Sequence, residues 1–264
     1  MSKVVIVTGG SSGIGLHTAS RLRTLGCTVY EFSRRDISHP DGVVHISVDV
    51  TDEAAVAQAV TRVEEKEGRV DVLICNAGFG ISGAAEFTEN RDAKRLLEVN
   101  LFGVVNAVKA VLPGMRRKGR GRIICISSVA AAVSIPFQAW YSVSKAAVSA
   151  YANALRNEVY PFGIQVCAVL PGDISTGFTG SREKSPMGDD IYGGRIARSV
   201  AVMERDERSG MSPETAAKRI CRVATKKRVK PAYTIGASYG FVLLLTRILP
   251  GRILSWIVRN IYSK

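Results

Sequence analysis

The sequence has no Cys-x-x-Cys pair and no cluster of cysteine with histidine. Cys27, Cys75, Cys125, Cys167 and Cys221 stand singly and far apart. That pattern offers neither a disulfide framework nor zinc-ligand spacing, so all five read as buried free thiols. Histidine is scarcer still, at His17, His39 and His45, and with no ligand spacing among them no metal site is expected. Nor does any uncharged apolar run approach the roughly twenty residues that a helix needs to span a bilayer. Met1-Ser2-Lys3 passes directly into Val4-Val5-Ile6-Val7, leaving no room for a signal peptide's charged leader and apolar core, and a cytoplasmic location is expected. Low-complexity stretches are also missing, so the whole chain is expected to fold.

Acidic residues are in deficit, 23 against 36 basic ones, for a formal net charge of +13 at pH 7. Such a surplus suits nucleic acid, a membrane surface or an anionic ligand such as a phosphorylated cofactor. The basic residues are spread over many segments and do not form one run interleaved with aromatics, which argues against nucleic acid.

What is present is an ordinary globular composition, 46% hydrophobic and 22% charged over 264 residues, enough for one α/β domain, 1–264, with a sizeable core. Apolar β-branched runs recur at Val4 to Val7, Thr28 to Phe32, Val43 to Val48, Val70 to Cys75, Arg122 to Ile126, Ile164 to Leu170 and near Ala232 to Ile235. Each reads as a buried strand. Helix-period segments lie between them, such as Thr51 to Glu67, with Thr51 as its expected cap and Gly68 as its stop. Strand-helix alternation implies right-handed crossovers and a doubly wound parallel sheet, a Rossmann-like α/β fold. Ligands in such sheets bind beyond the carboxyl ends of the strands.

Directly after the first strand stands Thr8-Gly9-Gly10-Ser11-Ser12-Gly13-Ile14-Gly15, opening a helical run. Glycines there allow a tight turn and let a pyrophosphate approach the free N–H groups of a helix start. The Gly-x-x-x-Gly-x-Gly spacing departs from the commoner Gly-x-Gly-x-x-Gly, and a purely structural turn is the rival reading. The second strand ends Ser33-Arg34-Arg35. An acid at that strand end would suit the ribose of NAD, whereas arginine suits the additional phosphate of NADP. NADP(H) is therefore favoured, with Glu31 and Asp36 keeping NAD(H) possible.

Tyr141-Ser-Val-Ser-Lys145 places a phenol and an ammonium at i and i+4 on one helix face. A tyrosine near pKa 10 is a poor acid or base at neutral pH, and a neighbouring lysine cation favours its phenolate. The pair alone recurs by chance on surface helices. Its weight comes from the strand Arg122 to Ile126 emptying into Ser127-Ser128, where Ser128 can polarise a carbonyl oxygen at a strand end. Together with the glycine turn and with Asn76-Ala77-Gly78 after the fourth strand, these residues resemble the short-chain dehydrogenase/reductase family with a Tyr-x-x-x-Lys active site, especially its hydroxysteroid- and retinol-dehydrogenase-like members. The resemblance runs from Lys3 to about Ile235, and Ser128 stands thirteen residues before Tyr141, as in that family. Departures are mild: Cys75 and Cys125 each replace a usual asparagine.

The resemblance implies a catalytic tetrad of Asn100, Ser128, Tyr141 and Lys145 that interconverts a secondary alcohol and a ketone, with Asn100 holding a water relay to Lys145. It also implies a cofactor cradle of Gly9, Ser11, Ser12, Gly13, Ile14, Gly15, Ser33, Arg34, Asp49, Val50, Asn76, Ala77 and Gly78. Tyr141, Lys145, Pro171, Gly172, Ile174 and Thr176 would complete that cradle. Phe137, Trp140 and Phe178, with Ser128 and Tyr141, are the expected substrate contacts, and 177–210 reads as a mobile lid over a hydrophobic, steroid- or lipid-like substrate. The tail 236–264 alternates arginines with apolar turns, as a helix packed over the pocket, a subunit contact or a peripheral membrane helix would. The helices around Leu101 to Met115 and Tyr141 to Tyr160 are the faces through which related enzymes pair, so a homodimer or homotetramer is expected. Two rival functions share these residues: a 3-oxoacyl-[acyl-carrier-protein] reductase, whose acidic partner the basic surface would suit, and a non-catalytic NADP(H)-binding regulator.

Overall fold

The computed structural model describes residues 2–39 and 41–263. In chain order the first half runs β1 (Val4–Thr8), α1 (Gly13–Thr24), β2 (Thr28–Ser33), β3 (Val44–Ser47), α2 (Glu53–Glu67), β4 (Val72–Cys75), the two-residue β5 (Ile81–Ser82) and α3 (Asn90–Leu97). A π-helical turn, Glu98–Phe102, joins α3 to α4 (Gly103–Arg117), followed by β6 (Gly121–Ile126), α5 (Ala139–Glu158) and β7 (Ile164–Pro171). The remainder is α6 (Phe178–Ser181), β8 (Glu183–Lys184), α7 (Arg195–Arg208), α8 (Pro213–Thr225), β9 (Ala232–Ile235), α9 (Ala237–Ile248) and α10 (Gly251–Tyr262).

Seven strands form one parallel sheet in the order β3-β2-β1-β4-β6-β7-β9, with all seven expected apolar runs in it. The central strands carry Val, Ile, Leu and Cys on both faces because helices cover both. On one face β1, β4 and β6 pack against Val56, Val60 and Val63 of α2, Val104, Val108 and Val111 of α4, and Val148 and Leu155 of α5. On the other, Ala19 and Leu22 of α1 and Ala216, Ile220 and Val223 of α8 close a second core. All five cysteines are buried in this frame without a disulfide.

Winding reverses between β1 and β4, and this switch point opens the crevice in which a doubly wound sheet binds its ligand. One boundary differs from expectation: α2 is capped by Asp52, whose side chain accepts from Ala55 N, while Thr51 donates instead to Asp49. Both are capping residue types, and Asp49 competes for the threonine. The segment 177–210 carries more regular structure than its Gly- and Ser-rich composition suggested. β8 pairs with β5, and Arg182, its side chain fully buried, forms an ion pair with Glu207 of α7. The tail folds into α9 and α10, whose residues are at most partly buried, with Leu243 packed against the main core.

Candidate active site

A cleft of about 800 Å³ opens at the carboxyl ends of β1, β4, β6 and β7. It gathers Ser128, Tyr141, Lys145 and every expected dinucleotide residue except Gly15, which lies behind its wall. The glycine turn is shaped by close approach. Gly9 has φ +66, and a Cβ there would stand 2.7 Å from Ala77 Cα. At Gly15 it would stand 2.2 Å from Gly9 O. Asn76 fastens this turn to the end of β4, donating from Nδ2 to Gly9 O at 3.0 Å and Thr8 O at 3.2 Å. Ser12, the N-cap residue of α1, makes no side-chain capping bond. The first-turn amides are therefore open to an acceptor, and the helix start favours an anion. These residues fit a dinucleotide pyrophosphate.

At the end of β2, Arg35 Nη2 donates to Ser11 Oγ at 3.3 Å and Arg34 reaches Asp49 at 3.9 Å. Glu31, the acid that kept NAD(H) in view, is fully buried below the turn. Its Oε1 accepts from Ser33 Oγ at 3.2 Å and faces His45 Nδ1 and, at 3.5 Å, His39 Nε2. That carboxylate is engaged inside the protein, and the cationic side chains are the ones presented to the cleft.

Catalytic geometry begins with α5. Buried Val148, Ala152 and Leu155 seat the helix on the sheet, which directs Tyr141 and Lys145 toward the end of β6. Lys145 Nζ donates to Ile126 O at 3.0 Å and lies 5.7 Å from the Tyr141 ring centroid. Ser128 Oγ accepts from Ala130 N at 3.1 Å, which leaves its own hydrogen for Tyr141. Burial pushes the Tyr141 phenol up to about 12, opposed by the Ser128 hydrogen bond, and draws Lys145 down to about 8. The sequence suggested that the lysine cation would make the phenol more acidic. Among the chain's own groups desolvation outweighs that pull, so Tyr141 is held protonated.

Asn100 sits in the π-helical turn, a distortion frequent at functional sites. Fully buried, it accepts from Phe79 N at 3.0 Å and donates to Phe79 O at 2.9 Å and Ser144 Oγ at 3.1 Å. It braces the loop after β4 against α5, and its Oδ1 would lie 3.0 Å from a Cβ at Gly78, with Lys145 Nζ 3.5 Å from the same point.

Of the five expected substrate contacts, Ser128, Tyr141 and Phe178 line the cleft, with the Phe178 ring 5.7 Å from that of Tyr141. Phe137 and Trp140 stand outside it. Phe137, at φ +60, is turned edge-on against Tyr192 at 5.4 Å, and Trp140 Nε1 is buried without a partner. In their place the cleft takes Val242 and Leu245 from α9, Leu249 just after it, Leu254, Ile257 and Val258 from α10, and, besides Asp49, the acids Asp173, Glu183 and Glu207. Asp173 accepts a hydrogen bond from Tyr239, whose ring would meet a Cβ at Gly172 at 2.1 Å. Burial raises the Asp173 carboxyl, with the Tyr239 hydrogen bond opposing. None of these acids carried a motif; only Arg35, adjacent to Arg34, stood in plain view.

Comparison with known proteins agrees with this geometry. The family model described as short chain dehydrogenase matches residues 3–186. A 3-ketodihydrosphingosine reductase of Bacteroides thetaiotaomicron is 40% identical over 98% of this chain and 94% of that protein. Human 17-beta-hydroxysteroid dehydrogenase type 1 is 36% identical over 66% of this chain and 58% of its own length. Among solved structures, a short-chain dehydrogenase from Streptomyces avermitilis superposes with a TM-score of 0.84 at 30% identity, covering 98% of this chain and 94% of that one. The chain thus belongs to the short-chain dehydrogenase/reductase family, as an oxidoreductase that binds a nicotinamide dinucleotide and acts on the CH–OH or keto group of a small molecule.

Proposed function

We propose that the chain is an NADP(H)-dependent ketone reductase for a long-chain lipid, and that its substrate carries an ammonium group beside the ketone. The observation that carries this reading is the meeting of Ser128, Tyr141 and Lys145 at the floor of a cleft whose opposite wall is aliphatic.

The dihydronicotinamide, when bound, supplies the hydride. The chain's residues handle the oxygen. Tyr141, kept protonated by burial, donates its hydrogen to the carbonyl oxygen as negative charge develops there. Ser128 turns its own O–H toward the same oxygen and stabilises the developing charge. Lys145, cationic below about pH 8, favours the phenolate that Tyr141 becomes, and its remaining hydrogens are available to ribose hydroxyls. Asn100 fixes the loop at Phe79 and thereby the wall beside Lys145.

Preference for NADP(H) is supported by Ser11, Arg34 and Arg35 at the adenosine end and by the engagement of Glu31 with its two histidines. An arginine fork suits a phosphate monoester. For the substrate, the aliphatic side chains of α9 and α10 suit an alkyl chain, and Asp173 presents a carboxyl group to the same cleft, whereas Glu207 is engaged by Arg182 and Thr179. Asp173 favours an amino ketone over a neutral steroid, in keeping with the 3-ketodihydrosphingosine relative. Phe102 and Val143, large apolar groups exposed on the π-helical turn and α5, support pairing of two copies there, which light scattering checks.

The test is NADPH oxidation with a 3-keto sphingoid base, a 3-ketosteroid, a 17-ketosteroid and an acyl-thioester ketone, NADH run in parallel. Turnover of the sphingoid ketone with NADPH supports the reading, and steroid turnover would move the substrate class. Turnover of the thioester alone indicates a carrier-protein reductase. Tight NADPH binding with no turnover indicates a regulator.

A further inference from the structure

The roof of the cleft has two apolar sides. Its inner side lines the cleft. On its outer side Phe241, Leu244 and Ile248 fall at i, i+3 and i+7 of α9, and Ile253 and Trp256 at i and i+3 of α10, each 45 to 67% exposed. Packing on its own domain accounts for the inner side, where Leu243 meets the main core, and not for this outer row. Beside this outer face lie Arg247, Arg252 and Arg259, and the sequence 236–264 contains no acidic residue. The three arginines are exposed, and no acidic partner reaches them among the described residues.

We infer that the outer face of α9 and α10 docks on an anionic lipid surface, so that a roof one helix thick separates the bilayer from the cleft. Charge decides the occupant. A second copy of a chain with net charge +13 would bring the same arginines against one another, whereas anionic headgroups complement a ring of arginines around inserted Phe, Leu, Ile and Trp. Entry of substrate from the leaflet between α9 and α10 follows, and this last step rests on the lipid-ketone reading; the docking itself does not.

The full-length protein is mixed with vesicles of phosphatidylcholine, with and without phosphatidylglycerol, and sedimented, with tryptophan emission followed in parallel. Binding to the anionic vesicles is expected, with a blue shift from Trp256 and release by salt. The variant Phe241→Ser/Leu244→Ser/Ile248→Ser/Trp256→Ser should lose at least about tenfold in partitioning while reducing a short, water-soluble ketone at the wild-type rate. Arg247→Gln/Arg252→Gln/Arg259→Gln should lose its preference for anionic vesicles. Wild-type protein that stays in the supernatant, or a serine variant that binds equally, overturns the proposal. So does a serine variant that changes the oligomeric mass, which would mark a subunit contact. Vesicle binding with no ketone turned over leaves the docking surface in place and removes the reductase reading.

Discussion

At the floor of the cleft, Tyr141 and Lys145 ride on a helix whose Val148, Ala152 and Leu155 are sunk in the main core, and the side chains of Asn76, Asn100 and Lys145 tie the adjoining loops by hydrogen bonds to their backbone. At the roof, α9 and α10 are apolar too, but none of their residues is fully buried, and Leu243 only rests against the main core from outside. Both regions line the same cleft, so the difference concerns tolerance. A proton must be delivered to one oxygen from a fixed distance, which requires side chains locked by their surroundings. An alkyl chain needs only to be kept from water, and a wall of Leu, Ile and Val on loosely seated helices accepts many positions.

The largest effect should come from the floor. Tyr141→Phe removes the proton that the proposed reaction delivers to the substrate oxygen, leaving only the Ser128 hydrogen bond, and kcat should fall on the order of 10² to 10⁴-fold. NADPH affinity, read by fluorescence titration, should stay unchanged. Next, Arg34→Ala/Arg35→Ala should cut the NADPH-over-NADH ratio of kcat/KM by about 10 to 100-fold, the worth of lost hydrogen bonds to a charged group. The pH profile tests Lys145. Since its ammonium titrates near 8, kcat/KM for reduction should be level below that pH and fall above it, approaching about tenfold per unit as the cation is lost. Lys145→Arg, permanently charged, should remove that fall if the fold holds the longer side chain. Two glycines then set floor against roof in stability. Gly15→Ala drives a Cβ to 2.2 Å from Gly9 O and should cost about 1–3 kcal/mol in urea unfolding. Gly240→Ala in α9 meets nothing within 4 Å and should stabilise that helix by about 0.5–1 kcal/mol. A destabilised Gly240 variant would show that the roof is locked after all.

The sheet and the floor were legible because their signals are local. Runs of Val and Ile set the strands, and Ser128, Tyr141 and Lys145 lie within one short stretch whose spacing a helix and a strand end convert into proximity. Phe137 and Trp140 show where locality misleads: both neighbour Tyr141 in the chain, yet a left-handed backbone at Phe137 turns its ring to Tyr192. The acids were hidden for the opposite reason. Asp173 is joined to Tyr239 across 66 residues and Glu207 to Thr179 across 28, and no periodicity records such pairs. Glu31 looked available to a ribose because burial, which commits it to His39 and His45, has no signature in a single sequence.

The five cysteines supply an internal clock. All are buried, and burial raises the thiols of Cys27, Cys167 and Cys221, while at Cys75 the hydrogen bond with Cys125 raises the thiol and burial adds to it. The native protein therefore presents almost no thiolate to an alkylating reagent. Cys75, Cys125 and Cys167 lie on adjacent central strands and Cys221 on α8, so each becomes reactive only when its own layer separates. Mass spectrometry of alkylated protein over time would then report, thiol by thiol, the order in which the two faces of the sheet come apart.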